Sequence, residues 1–252
     1  MTSDGRHQRH QRDSVLEAVV LAGGKGLRLR PYTSVIPKSL VPIGNECSIL
    51  EIVMRQLAAH GFSKATLSIG HLGHLIRAYA GDGSQWGIEV AYVTEESPLG
   101  TIGPILTILD RLPEHFLVMN GDILTDFDYG DLLRVHLAGG APITVATYER
   151  EYQVDFGVLD IADHHVTRFT EKPTIRYSVS MGVYAVSREA LAGYCPGQPL
   201  GVDQLVCDLL TDHRPPGTYP FSGYWLDIGR PEDYDRANRE FPVTRPDLLP
   251  AA

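Results

Sequence analysis

Leu16 to Ala22 is a mainly apolar run that stops at Gly23-Gly24-Lys25-Gly26. This junction constrains the chain more than any other stretch. The run has the length of a buried strand rather than of a helix. After the glycines, Arg28, Arg30 and Lys38 bring positive charge to one loop. A strand that ends in glycines and hands over to cations can hold phosphates. Glycine lets backbone N–H groups approach an anion closely, and the cations neutralise it. Two familiar phosphate loops do not fit. A G-x-G-x-x-G fingerprint counted from Gly24 needs a third glycine where Leu29 stands. A Walker A loop needs Ser or Thr after its lysine, and Lys25 is followed by Gly26. A glycine-rich turn with solvated cations is the plainer alternative.

The stretch resembles the signature of sugar-phosphate nucleotidyltransferases, G-G-x-G-x-R-L-x-P-x-T-x-x-x-P-K. Gly23, Gly24, Gly26, Arg28, Leu29, Pro31, Thr33, Pro37 and Lys38 fill its positions with none missing. The resemblance implies a Rossmann-like α/β fold of the glycosyltransferase-A-like kind. Its sheet would be mixed and mainly parallel, with helices on both faces and a β-rich sugar-binding half. It covers about residues 15–240. The boundaries that follow are a disordered tail over 1–13 and a single domain over 14–241. That domain divides into a nucleotide-binding half, 14–141, and a sugar-binding half, 142–241. A loose, proline-rich tail follows over 242–252.

The 252 residues, 43% hydrophobic and 21% charged, describe a globular chain with a sizeable core. A net charge of −9 argues against nucleic acid and against an anionic membrane as partner. Cys47, Cys195 and Cys207 are odd in number and in no metal-ligand spacing, which suggests a reducing compartment. Residues 1–13 lack the apolar core of a signal peptide, and no run approaches the roughly 18–20 apolar residues of a membrane span. These features predict a cytoplasmic protein. The HQRHQR near-repeat in the tail reads as solvated, with a metal-binding tract as the sharper alternative.

Along the chain, Ser48 and Glu51 form a capping box ahead of Ile49, Ile52, Val53 and Leu57, and Gly61 stops that helix. Lys64–Ile69 reads as a second strand, 73–80 as a second helix and Ile88–Thr94 as a third strand. Strands alternating with helices make a parallel sheet whose ligand lies beyond the strands' C-terminal ends. His71 and His74 invite a metal reading, but no cysteine or second histidine pair stands at ligand spacing, and a loop role is preferred. Phe116–Met119 runs into Asn120-Gly121-Asp122, which sets a carboxylate at the ligand edge of the sheet. Asp128 reads as the N-cap of a helix through Leu137, closed by Gly139-Gly140, and Asp126 as structural. From Pro142 the runs Ile143–Tyr148, Phe156–Ile161, Val166–Glu171 and Val179–Ser187 are of β type. Pro231 opens a last helix, with Glu232 and Asp233 in its first turn.

Further segments extend the resemblance and imply roles. Glu95-Glu96-Ser97-Pro98-Leu99-Gly100-Thr101 occupies the family's base-reading loop. There a side chain at Glu95 or Glu96, with the backbone near Gly100 and Thr101, would meet the nucleotide base. A carboxylate accepts well from two parallel N–H donors, which guanine offers at N1 and N2, so GTP is favoured. Leu21, Ala22, Gly23, Gly24, Gly26 and Arg28 complete the implied nucleotide set. Asp122 matches the family's G-D and Asp227 its W-x-D-x-G, and together they would hold Mg²⁺. Arg28, Lys38, Asp122 and Asp227 form the implied catalytic group. Phe156-Gly157-Val158, Glu171-Lys172-Pro173 and Ser180-Met181-Gly182-Val183-Tyr184 match segments that meet the sugar phosphate. They imply substrate contacts at Asn120, Gly157, Glu171, Lys172 and Ser180. Ser180 stands where the family more often has Asn.

The implied reaction is attack of a sugar 1-phosphate on the α-phosphate of an NTP, giving NDP-sugar and pyrophosphate. VSMG and YWLDIGRPEDY look most like mannose- or heptose-1-phosphate guanylyltransferases. The runner-up uses UTP, CTP, dTTP or ATP with an amino-sugar, cyclitol or choline phosphate. A non-catalytic relative that binds NDP-sugar is the alternative from another class. Partners are therefore the NTP and the sugar 1-phosphate, and a homo-oligomer stays open.

Overall fold

The computed structural model describes residues 16–249; the tail expected over 1–13 lies outside them. In chain order the first half contains β1 (Leu16–Leu21), β2 (Pro42–Ile43), β3 (Cys47–Ser48), α1 (Ile49–Ala59), β4 (Phe62–Ile69) and α2 (Gly73–Ala80). It continues with β5 (Glu89–Thr94), α3 (Gly103–Leu106), β6 (His115–Asn120), β7 (Ile123–Thr125) and α4 (Tyr129–Gly139). The second half holds β8 (Ile143–Gln153), β9 (Val158–Ala162), β10 (His165–Thr170) and β11 (Thr174–Ser187). It ends with α5 (Val202–Thr211), β12 (Gly217–Phe221), β13 (Trp225–Asp227) and α6 (Pro231–Leu248).

A seven-stranded sheet of order β12-β8-β11-β6-β1-β4-β5 organises the molecule. Only β11 runs against its neighbours, β6 and β8; the other pairings are parallel. This is the mixed, mainly parallel sheet that the family resemblance implies. Strand β1 explains why its sequence is apolar without alternation. Ala18 and Val20 pack into a core with Leu50, Val53 and Leu57 of α1 and Leu132 of α4. Val19 faces the opposite core, with Ile105 of α3 and Leu205 and Leu209 of α5. A strand covered on both faces has no polar side to show. Strand order also reverses at β1, since β4 and β5 lie to one side of it and β6 to the other. The gap beyond the ends of such strands is where open α/β sheets bind ligands.

Both N-caps read from the sequence form, but the capping box at α1 is only half made, because the Glu51 side chain does not return to the Ser48 N–H. Ser48 Oγ accepts from the Glu51 N–H at 3.0 Å, while the Glu51 carboxylate accepts from the Tyr79 hydroxyl at 2.9 Å. Asp128 Oδ1 caps α4 by accepting from the Asp131 N–H at 2.9 Å. One boundary needs correction. The tail expected to be loose from 242 is helical as far as Leu248, with Pro242 and Pro246 inside α6. Each proline removes a helical hydrogen bond, at a cost of about 3 kcal/mol. Phe241, Leu248 and Leu249 offset that cost by burial in a third core with Leu29, Val41 and Ile43. Fully burying such a side chain contributes roughly 1.5–3 kcal/mol. Arg245 of the same helix pairs with Glu46 at 2.7 Å. Among the described residues no helix is long and apolar enough to cross a membrane.

Behind the sheet, His136 is buried among polar partners. Its Nδ1 lies 2.9 Å from Thr144 Oγ1, and its Nε2 lies 3.0 Å from Ser187 Oγ and 3.2 Å from His115 Nδ1. Burial, with His115 beside it, lowers the imidazole to about 4; burial lowers His60 in the same sense. In the unfolded chain a histidine titrates near 6.5. Between those values the unfolded state binds the extra proton. Stability is therefore complete above about pH 6.5 and falls as pH drops toward 4, by at most roughly 3 kcal/mol from His136. Urea midpoints at pH 7.5 and pH 5 should differ accordingly, and His136→Asn should shrink the difference. Equal wild-type midpoints would contradict this account of His136.

Candidate active site

The loop after β1 is shaped by residues that do not face the ligand. Leu29 is fully buried in the third core, and Thr33 Oγ1 donates to the Gly26 carbonyl at 2.7 Å. Those two anchors fix the turn, so that Arg28 and Lys38 reach a cleft of about 1020 Å³ at the C-terminal end of β1. Leu21, Ala22, Gly23, Gly24 and Gly26 line the same cleft. Glu95, Glu96, Gly100 and Thr101 of the loop after β5, and Asn120 and Asp122 from the end of β6, line it as well. Every residue expected to bind the nucleotide is thus gathered in one place.

Short strands settle the relation between the two aspartates, which lie far apart in the chain. β7 pairs with β13 in antiparallel register, and Asp227 stands opposite Ile123, the neighbour of Asp122. The Ile228 N–H donates to the Asp122 carbonyl at 3.0 Å, which closes the pairing. Lys38 Nζ then lies 2.5 Å from Asp122 Oδ2 and 3.9 Å from Asp227 Oδ1. Burial, reinforced by the nearby Asp122 charge, raises the Asp227 carboxyl above the usual range; Lys38 and Arg28 act against that rise. The Asp227 carboxylate is thus left short of compensation chiefly because it is withdrawn from water.

A divalent cation would relieve that imbalance, and the donor set fits one. Asp122 Oδ1 is buried without a hydrogen-bond partner. Magnesium is commonly held by one or two carboxylates together with water and substrate phosphates. Among the described residues no group of three or more His, Cys, Asp or Glu side chains is placed to hold a metal. His71 lines the cleft, where its N–H donates to the Gly23 carbonyl at 3.3 Å. Asp126 is structural, since its Oδ1 accepts from the Tyr224 N–H at 2.8 Å.

The residues expected to meet the sugar phosphate divide. Asn120 lines the cleft, whereas Gly157, Glu171, Lys172 and Ser180 do not. Gly157 and Glu171 meet each other beside the β9–β10 hairpin, where a side chain at 157 would come 3.2 Å from Glu171 Oε2. Lys172 sits in a left-handed turn with φ +42°. Ser180 begins a bulge in β11, because the register to β8 shifts between Ser180 and Tyr184. Its hydroxyl is 2.9 Å from the Tyr184 hydroxyl and accepts from the Gly182 N–H at 3.3 Å. Gly182 has φ +76°, and a Cβ there would strike Asn120 Nδ2 at 2.5 Å. The bulge thus gives Asn120 its room at the cleft.

Sequence reasoning missed Lys25, Ser39, Gly70 and Gly121, which also line the cleft, and Ser68, which stands behind it. The signal for Ser68 is a hydroxyl inside an apolar run, just before Gly70 at the ligand edge.

A nucleotidyl transferase family model matches residues 17–242. Mannose-1-phosphate guanylyltransferase of Mycobacterium tuberculosis is 32% identical over 233 residues, covering 89% of this chain and 64% of that protein. Mannose-1-phosphate guanyltransferase of Schizosaccharomyces pombe is 29% identical over 228 residues, covering 87% and 62%. The chain spans under two thirds of the length of these curated relatives. The crystal structure of HddC from Yersinia pseudotuberculosis superposes with a TM-score of 0.71 at 27% identity, covering 90% of this chain and all of that one. The same protein complexed with GMP-PN gives 0.69 at 26% identity and equal coverage.

Proposed function

The chain belongs to the nucleotidyl transferase family, and on that premise we propose that it transfers a nucleotidyl group from an NTP, GTP in preference, to a sugar 1-phosphate of mannose or heptose type. The products are an NDP-sugar and pyrophosphate. One observation carries the reading: the glycine loop, Arg28 and Lys38, and the Asp122–Asp227 pair converge at the point where the strand order reverses.

The chemistry asks little covalent help of the protein. A phosphate monoester has its second pKa near 6 and is largely dianionic at pH 7, so the nucleophile needs no general base. In our reading the backbone N–H groups at Gly23, Gly24 and Gly26 cradle the triphosphate. Arg28 and Lys38 stabilise charge that grows on the transferring and leaving phosphates, and such preorganised charge is usually the largest contribution to catalysis. Asp122 and Asp227 would hold Mg²⁺, which supplies Lewis-acid neutralisation of phosphate oxygens. Glu95 or Glu96 meets the base. Asn120 reaches the sugar, and Gly157, Glu171, Lys172 and Ser180 are proposed for the sugar phosphate on the family resemblance. The names of the relatives support mannose and the guanine base, and the GMP-PN complex of HddC supports the nucleotide; heptose rests on the sequence resemblance alone. We place the protein in the cytoplasm, on the support of three unpaired cysteines.

The test is pyrophosphate release with Mg²⁺, each of GTP, ATP, UTP, CTP and dTTP in turn, and a panel of sugar 1-phosphates. GTP with a mannose- or heptose-type phosphate should be fastest. Nucleotide-sugar binding without release under any pairing would replace the enzyme by a binding protein.

A further inference from the structure

Ser68 stands one residue before the end of β4 and is fully buried. Its hydroxyl donates to Glu95 Oε1 at 2.7 Å. The second carboxylate oxygen of Glu95 accepts from the Leu99 N–H at 3.3 Å. The Glu95 N–H donates to the Ile69 carbonyl at 2.8 Å. The Glu95 side chain is thereby pinned to the cleft wall by β4 on one side and by its own loop on the other. Gly23 admits it, since a Cβ there would come 2.8 Å from Glu95 Oε1. Glu96 also lines the cleft, but it is exposed.

An ionised carboxylate accepts at about four lone-pair positions, two on each oxygen. Ser68 and Leu99 use one on each, which leaves one on each. Two adjacent acceptors are what the N1–H and N2–H donors of guanine require, and adenine lacks that donor pair. A freely rotating glutamate must be ordered when the base arrives, whereas a pinned one is ordered beforehand.

We propose that Ser68 is a positioning residue for nucleotide specificity: its buried hydroxyl orients the Glu95 carboxylate so that the remaining lone pairs meet the base. This rests on the proposed use of GTP, and it separates two neighbouring glutamates that sequence alone leaves equivalent. Ser68 touches no substrate; it acts through Glu95.

The experiment compares wild type, Ser68→Ala, Glu95→Gln and the double variant, with kcat and KM measured for GTP and ATP. Ser68→Ala should lower the preference for GTP over ATP about 5- to 10-fold, through a raised KM for GTP. Its kcat and its KM for the sugar phosphate should stay within about twofold. In the Glu95→Gln background the same change should alter the preference less than about twofold, because partners acting through one group are not additive. Equal losses with both nucleotides, or an undiminished effect in the Glu95→Gln background, would overturn the proposal. Should Ser68→Ala fail to fold, Ser68→Cys fills the position with a weak donor and should shift the preference in the same direction. Equilibrium binding of GTP and ATP to the same proteins reads the preference without turnover. A wild type that releases no pyrophosphate would therefore refute the proposed activity, while the binding ratios would still decide the role of Ser68.

Discussion

Asp122→Asn is expected to lower turnover roughly 100- to 1,000-fold with little change in the folded state. In the wild type Oδ2 accepts from Lys38 at 2.5 Å, and Oδ1 is buried with no partner. An amide can satisfy only one of these positions as an acceptor. With its oxygen toward Lys38, its NH₂ replaces the unpartnered oxygen and turns a donor toward the space where we propose a cation is held. With the amide reversed, the NH₂ opposes the Lys38 ammonium. Either way the negative charge at the phosphate end of the cleft is lost, while the volume filled is nearly unchanged. Steady-state rates with GTP and a sugar 1-phosphate, beside a thermal melt, check the prediction. Near-normal turnover would remove Asp122 from the catalytic group.

Lys38→Ala should also cost roughly 100- to 1,000-fold in kcat, but with a different signature. Lys38 lies against Asp122 and Asp227, whereas the Glu95 carboxylate is bonded to Ser68 and the Leu99 N–H. Its loss should depress the rate with every nucleotide alike and leave the ranking of the bases intact. Lys38→Arg should not restore the rate, because a planar guanidinium cannot replace a compact ammonium 2.5 Å from one carboxylate oxygen. Rates with GTP and ATP decide the matter. A change in base preference would mean that Lys38 shapes the whole cleft rather than its phosphate end.

Local signals carried the sequence reading furthest. The end of β1, the Ser48 cap, the Asp128 cap and helix α2 are each written in a few adjacent residues, so their physics is visible without the fold. Pairings between distant segments are not written that way. Strands β7 and β13 have three residues each, too few for a pattern, yet their register is what sets Asp227 beside Asp122. Helix α5 has a signal, Leu205 and Leu209 at helical spacing after Asp203, which is easily passed over in a half read as β-rich. Prolines at 242 and 246 argue for a loose end, and only the buried contacts of Phe241 and Leu248 show why a helix survives them. Glu95 and Glu96 look alike in sequence. What separates them is that the ends of β4 and β5 are neighbours, which places the Ser68 hydroxyl beside one carboxylate and not the other.

The central claim is nucleotidyl transfer, and one labelling measurement tests it most directly. GTP carrying radioactive phosphorus at the α position is incubated with the protein, Mg²⁺ and mannose 1-phosphate, and the products are separated. The account predicts that the label leaves GTP and appears in the sugar nucleotide, with unlabelled pyrophosphate formed in equal amount. Label that stays in GTP, or that is released as GMP or GDP without a sugar nucleotide under any sugar 1-phosphate, would contradict it.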